Sequence, residues 1–134
     1  QTRERIYWEY PSKTLTGITG ITGAAKTIKD PIVDKIALES VTAIDDNPNG
    51  IFSVDMTYDG NGVPNPTEIN IGKFFTTHYF FARAGLNFPE IYVKLAFDEP
   101  VDKLGINPLK PGFVWIRGVD SEPVLTTVKK VGLD

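Results

Sequence analysis

The chain has 134 residues, 41% of them hydrophobic and 23% charged, a balance that fits one globular domain and excludes a disordered or collagen-like chain. Its 14 Lys and Arg against 17 Asp and Glu leave a net charge of −3. That balance lacks the positive field of a non-specific nucleic-acid binder and the polybasic segment of a protein held on an anionic membrane.

Cysteine is absent, which removes disulfides, thiolate zinc sites and cysteine nucleophiles together and suits a cytoplasmic protein. His78 is the single histidine, so a metal here would be held mainly by oxygen, which favours Mg²⁺, Mn²⁺ or Ca²⁺. No apolar run reaches the ~18–20 residues that span a bilayer. Residues 1–134 read as one domain. The chain opens on Gln1 rather than Met, so a piece of a longer protein is expected.

Residues 1–10 alternate charged with apolar or aromatic side chains, which predicts a half-buried strand. Residues 11–29 repeat Thr-Gly three times, at Thr16-Gly17, Thr19-Gly20 and Thr22-Gly23, and read as an irregular surface loop. No GK[ST] ending follows, so it is not a P-loop. Residues 30–45 give the clearest helix. Asp30 is a suitable N-cap, Pro31 suits the first helical position, and Ile32, Ile36, Leu38, Val41 and Ile44 make the apolar surface, with Ala37 and Ala43 near it.

Residues 51–58 and 67–71 read as strands around the turn Asp59-Gly60-Asn61-Gly62, pairing as an antiparallel hairpin. A helix is predicted over 73–86, with Phe74, Phe75, His78, Phe81 and Ala82 at helical spacing and Gly85 closing it. Phe88–Phe97 follows as a second helix, with Pro89 in its first turn. The aromatic stripe reads as core, and His78 as a packing or surface residue. Short strands are predicted at 113–117 and 124–128. The fold class is α+β, a mainly antiparallel sheet with helices on one face.

One cluster carries chemistry. Glu68 and Asn70 are two apart in a predicted strand, so they leave the same face. Asp55 lies on the preceding strand and can meet them across the ladder. Two carboxylates held together repel. A hard cation relieves that repulsion, and Mg²⁺ characteristically combines one or two carboxylates with phosphate oxygens. A solvated polar face is the plain alternative. An EF-hand type Ca²⁺ loop is a poorer one, because Val63 and Pro64 break the pattern that Asp59 and Asn61 begin.

The segment VDMTYDGNGVPNPTEINIGKFF resembles the C-terminal core of ATP-grasp enzymes. There an acidic strand, a turn and a strand ending in Glu-x-Asn bind the Mg²⁺ of Mg-ATP. The gap of 13 from Asp55 to Glu68 is of the kind found in D-alanine–D-alanine ligases. The stretch TEINIGKFFTTHYFFARAGLNFP looks closest to carbamoyl-phosphate synthase large-subunit-like proteins, and the resemblance covers roughly residues 30–95.

The resemblance implies the C-terminal lobe of an ATP-grasp fold, with Asp55 and Glu68 as metal-ligating carboxylates and Asn70 as a metal or phosphate contact. Lys73 would reach ATP phosphate or an acyl phosphate. Arg3 or Arg5 would reach phosphate or the acid substrate. Lys73 is equally readable as a solvated charge, and Arg3 and Arg5 read more readily as exposed strand charges. The implied cofactors are ATP with Mg²⁺ or Mn²⁺. The implied activity is ATP-dependent carboxylate–amine ligation, or carbamoyl-phosphate synthase-like chemistry, through an acyl phosphate.

The partners would be small carboxylate and amine substrates and the N-terminal ATP-grasp lobe, which these residues lack. The fragment alone is expected to be inactive, and an apolar face left by the missing lobe would allow homo-oligomers. Neither nucleic acid nor membrane is expected as a partner. Two other functions stay open: a stand-alone, non-catalytic binding or interaction domain, and a Ca²⁺-binding structural domain.

Overall fold

The computed structural model describes residues 12–18, 21–72, 74, 77–101, 107–118 and 122–132, with side chains from residue 23 onward. In chain order the elements are β1 (Ser12–Ile18), β2 (Ile21–Thr27), α1 (Pro31–Thr42), β3 (Phe52–Tyr58), β4 (Pro64–Ile71), α2 (His78–Arg83), α3 (Phe88–Ala96), β5 (Phe113–Ile116), β6 (Val124–Thr127) and α4 (Val128–Val131). The class is α+β, as read from the sequence. All strand pairing is antiparallel, but it forms two sheets rather than one: β1-β2-β5-β6 and the hairpin β3-β4. The strand expected over 1–10 lies outside the described residues. Among the described residues no helix is long and apolar enough to cross a membrane.

Of the segment expected as a loop, the described residues 12–18 and 21–27 are strands. They supply β1 and β2, and β2 sits inside its sheet between β1 and β5. The reason is composition between the glycines: Thr14, Thr16, Ile18, Ile21, Thr22 and Thr27 are β-branched and suit a pleated surface. A glycine in such a run marks a bulge rather than an end. The β1–β2 register shifts between Thr14 and Thr16 and again between Thr16 and Gly17.

α1 begins where its chemistry predicts. Asp30 Oδ1 accepts from the N–H groups of Ile32 (3.0 Å) and Val33 (3.4 Å), and Pro31 occupies the first turn. Its inner face differs from the expected one. Val33, Ala37 and Val41 are buried, whereas Ile32 and Ile44 are 60% and 61% exposed. Residues four apart lie nearly in line on a helix, and the small Ala37 lets α1 approach the β3–β4 hairpin it packs against.

α2 is shorter than predicted, 78–83 rather than 73–86, with Thr77 at its N-cap. The chain turns out of it at Gly85, whose φ of 103° suits a residue without Cβ. α3 starts on Asn87, whose side chain accepts from the Glu90 N–H, and carries Pro89 in its first turn.

The aromatic stripe is core. Phe80, Phe81 and Phe88 are essentially inaccessible. Phe80 stacks on Trp115 of β5 at 5.6 Å and on Phe81 at 5.1 Å, and Phe81 meets Phe88 edge-on. Trp115 lies in one row of the sheet with Ala25 and Leu125, so a small residue beside the indole leaves room for α2. Ile51, just before β3, joins this core.

The segment after residue 106 is pinned to the end of β2. Thr27 Oγ1 donates to Lys110 O (2.8 Å) and accepts from Phe113 N (3.0 Å). Asn107 is buried at φ 49°, and its Nδ2 donates to Ile28 O and to Asp34 Oδ1, both at 3.2 Å. Lys29 Nζ donates to the Asn107 carbonyl. Burial pushes the Asp34 carboxyl above its ordinary value of 3.8, against the opposing pull of the Asn107 hydrogen bond and of Lys29, while Asp30 adds to the rise.

Asp30→Ala is expected to lower stability by about 1 kcal/mol through loss of the cap, read as a lower urea midpoint at unchanged slope. A raised carboxyl favours the folded state most when protonated. Stability from Asp34 is therefore full below pH 3.8 and is lost as pH rises through the higher folded value. Asp34→Asn keeps the acceptor for Asn107 and should remove that loss, so wild type falls relative to the variant as acid denaturation midpoints are followed upward in pH.

Candidate functional site

The site is built on the β3–β4 hairpin, and its turn is fixed locally. Asp59 Oδ1 accepts from the N–H groups of Asn61 (2.9 Å) and Val63 (2.8 Å), and Gly62 N–H donates to Asp59 O at 3.0 Å. Gly62 stands at φ 79°. The Asp59 carboxylate is thus engaged by its own turn through Oδ1. β4 begins at Pro64, three residues before the expected strand.

From that turn the register runs Tyr58 opposite Pro64, Thr57 opposite Asn65 and Met56 opposite Pro66. It then shifts: Asp55 faces Glu68, Ser53 faces Asn70, and Thr67 is the extra residue. This is a β-bulge. Pro66 has no N–H to lose from the ladder, and Thr67 Oγ1 donates to Asp55 O at 3.0 Å.

The bulge decides the face on which Glu68 emerges. An unbroken ladder would set Asp55 against Thr67 and Glu68 against Val54, putting the two carboxylates on opposite faces. With Thr67 out of register the faces sort by polarity. Phe52, Val54, Met56, Tyr58, Pro64, Pro66, Ile69 and Ile71 share one. Ser53, Asp55, Thr57, Asn65, Glu68 and Asn70 share the other.

On the polar face Asn70 Nδ2 donates to Asp55 Oδ2 at 3.3 Å. Asn70 is buried at 9% exposure, while Asp55 and Glu68 are exposed. The arrangement is therefore a buried amide floor under two facing carboxylates. The structure brings together the three residues expected from the sequence. Lys73, Arg3 and Arg5 lie outside the described residues. His78 opens α2, half-buried, with its ring 5.7 Å from that of Phe74.

Ser53 was not singled out from the sequence. It lies two residues before Asp55 and directly opposite Asn70, so strand parity could have found it. Its Oγ is fully occluded and makes no hydrogen bond to any described residue.

Among the described residues no group of three or more His, Cys, Asp or Glu could hold a metal. Mg²⁺ does not require one, since two carboxylates leave the remaining positions to amide, water or phosphate oxygens. The amide of Asn70 presents its NH₂ to Asp55, the orientation a carboxylate favours without a cation. A half-turn of that amide would present Oδ1 instead and make it a ligand.

No known protein family, curated protein or solved structure matches the chain.

Asn70→Ala removes the buried partner of Asp55. It should cost about 1 kcal/mol, the scale of a modest hydrogen bond, measured by equilibrium unfolding. Asn70→Asp is expected to cost more, because it sets a third carboxylate beside the other two.

Proposed function

We propose that this chain is the Mg-ATP-binding lobe of an ATP-dependent carboxylate–amine ligase of the ATP-grasp type, related to carbamoyl-phosphate synthase large-subunit-like proteins. The observation that carries the reading is the bulged register that sets Asp55 opposite Glu68, with Asn70 bonded to Asp55 on the same face. Spacing and motif first pointed to these three residues, and the hairpin geometry supports their convergence.

In this reading Asp55, Glu68 and the Asn70 amide would hold Mg²⁺ or Mn²⁺, which would supply positive charge to offset that of the ATP phosphates. Lys73 and Arg3 belong to the same reading as phosphate and substrate contacts. The acid substrate is phosphorylated, and an amine then displaces phosphate from the acyl phosphate. Catalysis of that kind is positioning and electrostatic stabilisation, with no covalent nucleophile from the protein. The adenine pocket and further cationic residues would come from a partner lobe.

A second reading, a non-catalytic interaction domain, rests on α3. Tyr92, Val93 and Phe97 are 37%, 53% and 75% exposed, an apolar surface of the sort that partners cover.

In the full-length protein Glu68→Ala should lower Mg²⁺-dependent ATP turnover roughly 100-fold or more while the fold survives, assayed across a panel of small acids and amines. Near-wild-type turnover would refute the role of Glu68. Failure of the intact protein to bind nucleotide would leave the interaction-domain reading.

A further inference from the structure

We propose that Ser53 is a further binding residue of this face, its hydroxyl donating to an oxygen in the coordination shell of the bound cation. The inference rests on the Mg-ATP reading above and deepens it. Three observations carry it. Ser53 Oγ is occluded from solvent and makes no hydrogen bond to any described residue. Ser53 is the register partner of Asn70 and lies two residues from Asp55, so it shares the polar face with both. The residue as a whole keeps intermediate exposure, and rotation about χ1 moves the oxygen to another staggered position.

A buried hydroxyl without a partner is unfavourable by about 1–3 kcal/mol, and native proteins leave few such groups without a reason. Among the described residues the other occluded, unbonded side-chain polar atom is Trp115 Nε1. It sits amid aromatic rings, in a sheet row with Ala25 and Leu125. Ser53 lies instead beside a carboxylate–amide pair.

A hydroxyl in that place supplies what the carboxylates cannot. Asp55 and Glu68 only accept hydrogen bonds when ionised, so waters or phosphate oxygens around a cation find attraction to the ion but no donor from them. Ser53 O–H would be that donor. The shared chemistry is an oxygen held by the cation, either a water on the ion or a phosphate oxygen of the nucleotide.

The sign of the effect separates this role from a structural one. If Ser53 serves a ligand, its hydroxyl is a burden to the empty protein and an asset to the loaded one. In the full-length protein Ser53→Ala should leave the ligand-free melting temperature equal or higher, and should weaken Mg-ATP binding about tenfold, a typical loss for one such hydrogen bond. Ser53→Thr, which keeps the hydroxyl and suits a strand, should restore binding.

Titration with Mg²⁺ alone distinguishes the two oxygens. A water on the ion predicts weaker Mg²⁺ binding in Ser53→Ala; a phosphate oxygen predicts the loss with Mg-ATP only. Glu68→Ala is the reference. Unchanged Mg-ATP affinity in Ser53→Ala, with loss in Glu68→Ala, overturns the role of Ser53 and leaves the metal reading standing. Unchanged affinity in both overturns the two together. A lower ligand-free melting temperature in Ser53→Ala with unchanged affinity also overturns the proposal and makes Ser53 structural.

Discussion

What the β3–β4 hairpin offers to solvent depends on Thr67 standing outside the ladder. In a period-two structure, a slip of one residue exchanges the faces of everything beyond it. Here the slip lies between Met56–Pro66 and Asp55–Glu68. It keeps Pro64 and Pro66 on the apolar side near the turn, yet delivers Glu68 and Asn70 to the polar side further on. The devices that hold it are local. Pro66 has no N–H to give, and Thr67 uses its own hydroxyl to bond Asp55 O. On the turn side, Asp59 fixes the starting register through its bonds to residues 61 and 63.

That hairpin is only two strands wide, and a two-stranded sheet is marginal alone. Its support comes from both neighbours. α1 lies against it, and the line Val33, Ala37 and Val41 is buried. At its open end Gly72 N–H donates to Ile51 O, and Ile51 reaches into the aromatic core that backs the four-stranded sheet. Asn107 ties the start of α1 to the end of β2 through Asp34 and Ile28. The position of the carboxylates is thus set by packing on the other sheet as well as by their own ladder.

The sequence made the helix starts and the hairpin readable because their chemistry is local. Asp30-Pro31 and Asn87-Phe88-Pro89 are cap signals that need no tertiary information. The pairing of Asp55 with Glu68, and Asn70 on the same face, was expected from the hairpin, and the register has that arrangement. The face of α1 was readable only in part. Val41 was expected and Ala37 stood beside the expected surface, but Ile32 and Ile44 outweigh Val33 on a hydrophobicity count, whereas close approach to strands selects the line of Val33, Ala37 and Val41. β1 and β2 were hidden by their glycines, which punctuate loops more often than strands. The bulge did leave a trace: Thr67-Glu68 are two polar residues in succession where Asn65, Pro66, Ile69, Asn70 and Ile71 alternate. Ser53 left only its strand parity with Asp55, because one serine in a strand carries no chemical signature until its partner across the ladder is known.

The distribution of favourable and unfavourable contacts then has a physical logic. The strong packing is concentrated where no chemistry is proposed, at Phe80, Phe81, Phe88 and Trp115. Two unfavourable features lie on one face of the hairpin: two carboxylates directly opposite each other, and an occluded hydroxyl that bonds no described residue. Like charges across a ladder oppose folding, as does a desolvated hydroxyl. A desolvated hydroxyl adds nothing to the stability of this chain by itself. Burial of the aromatic core supplies the stability that lets the hairpin carry it.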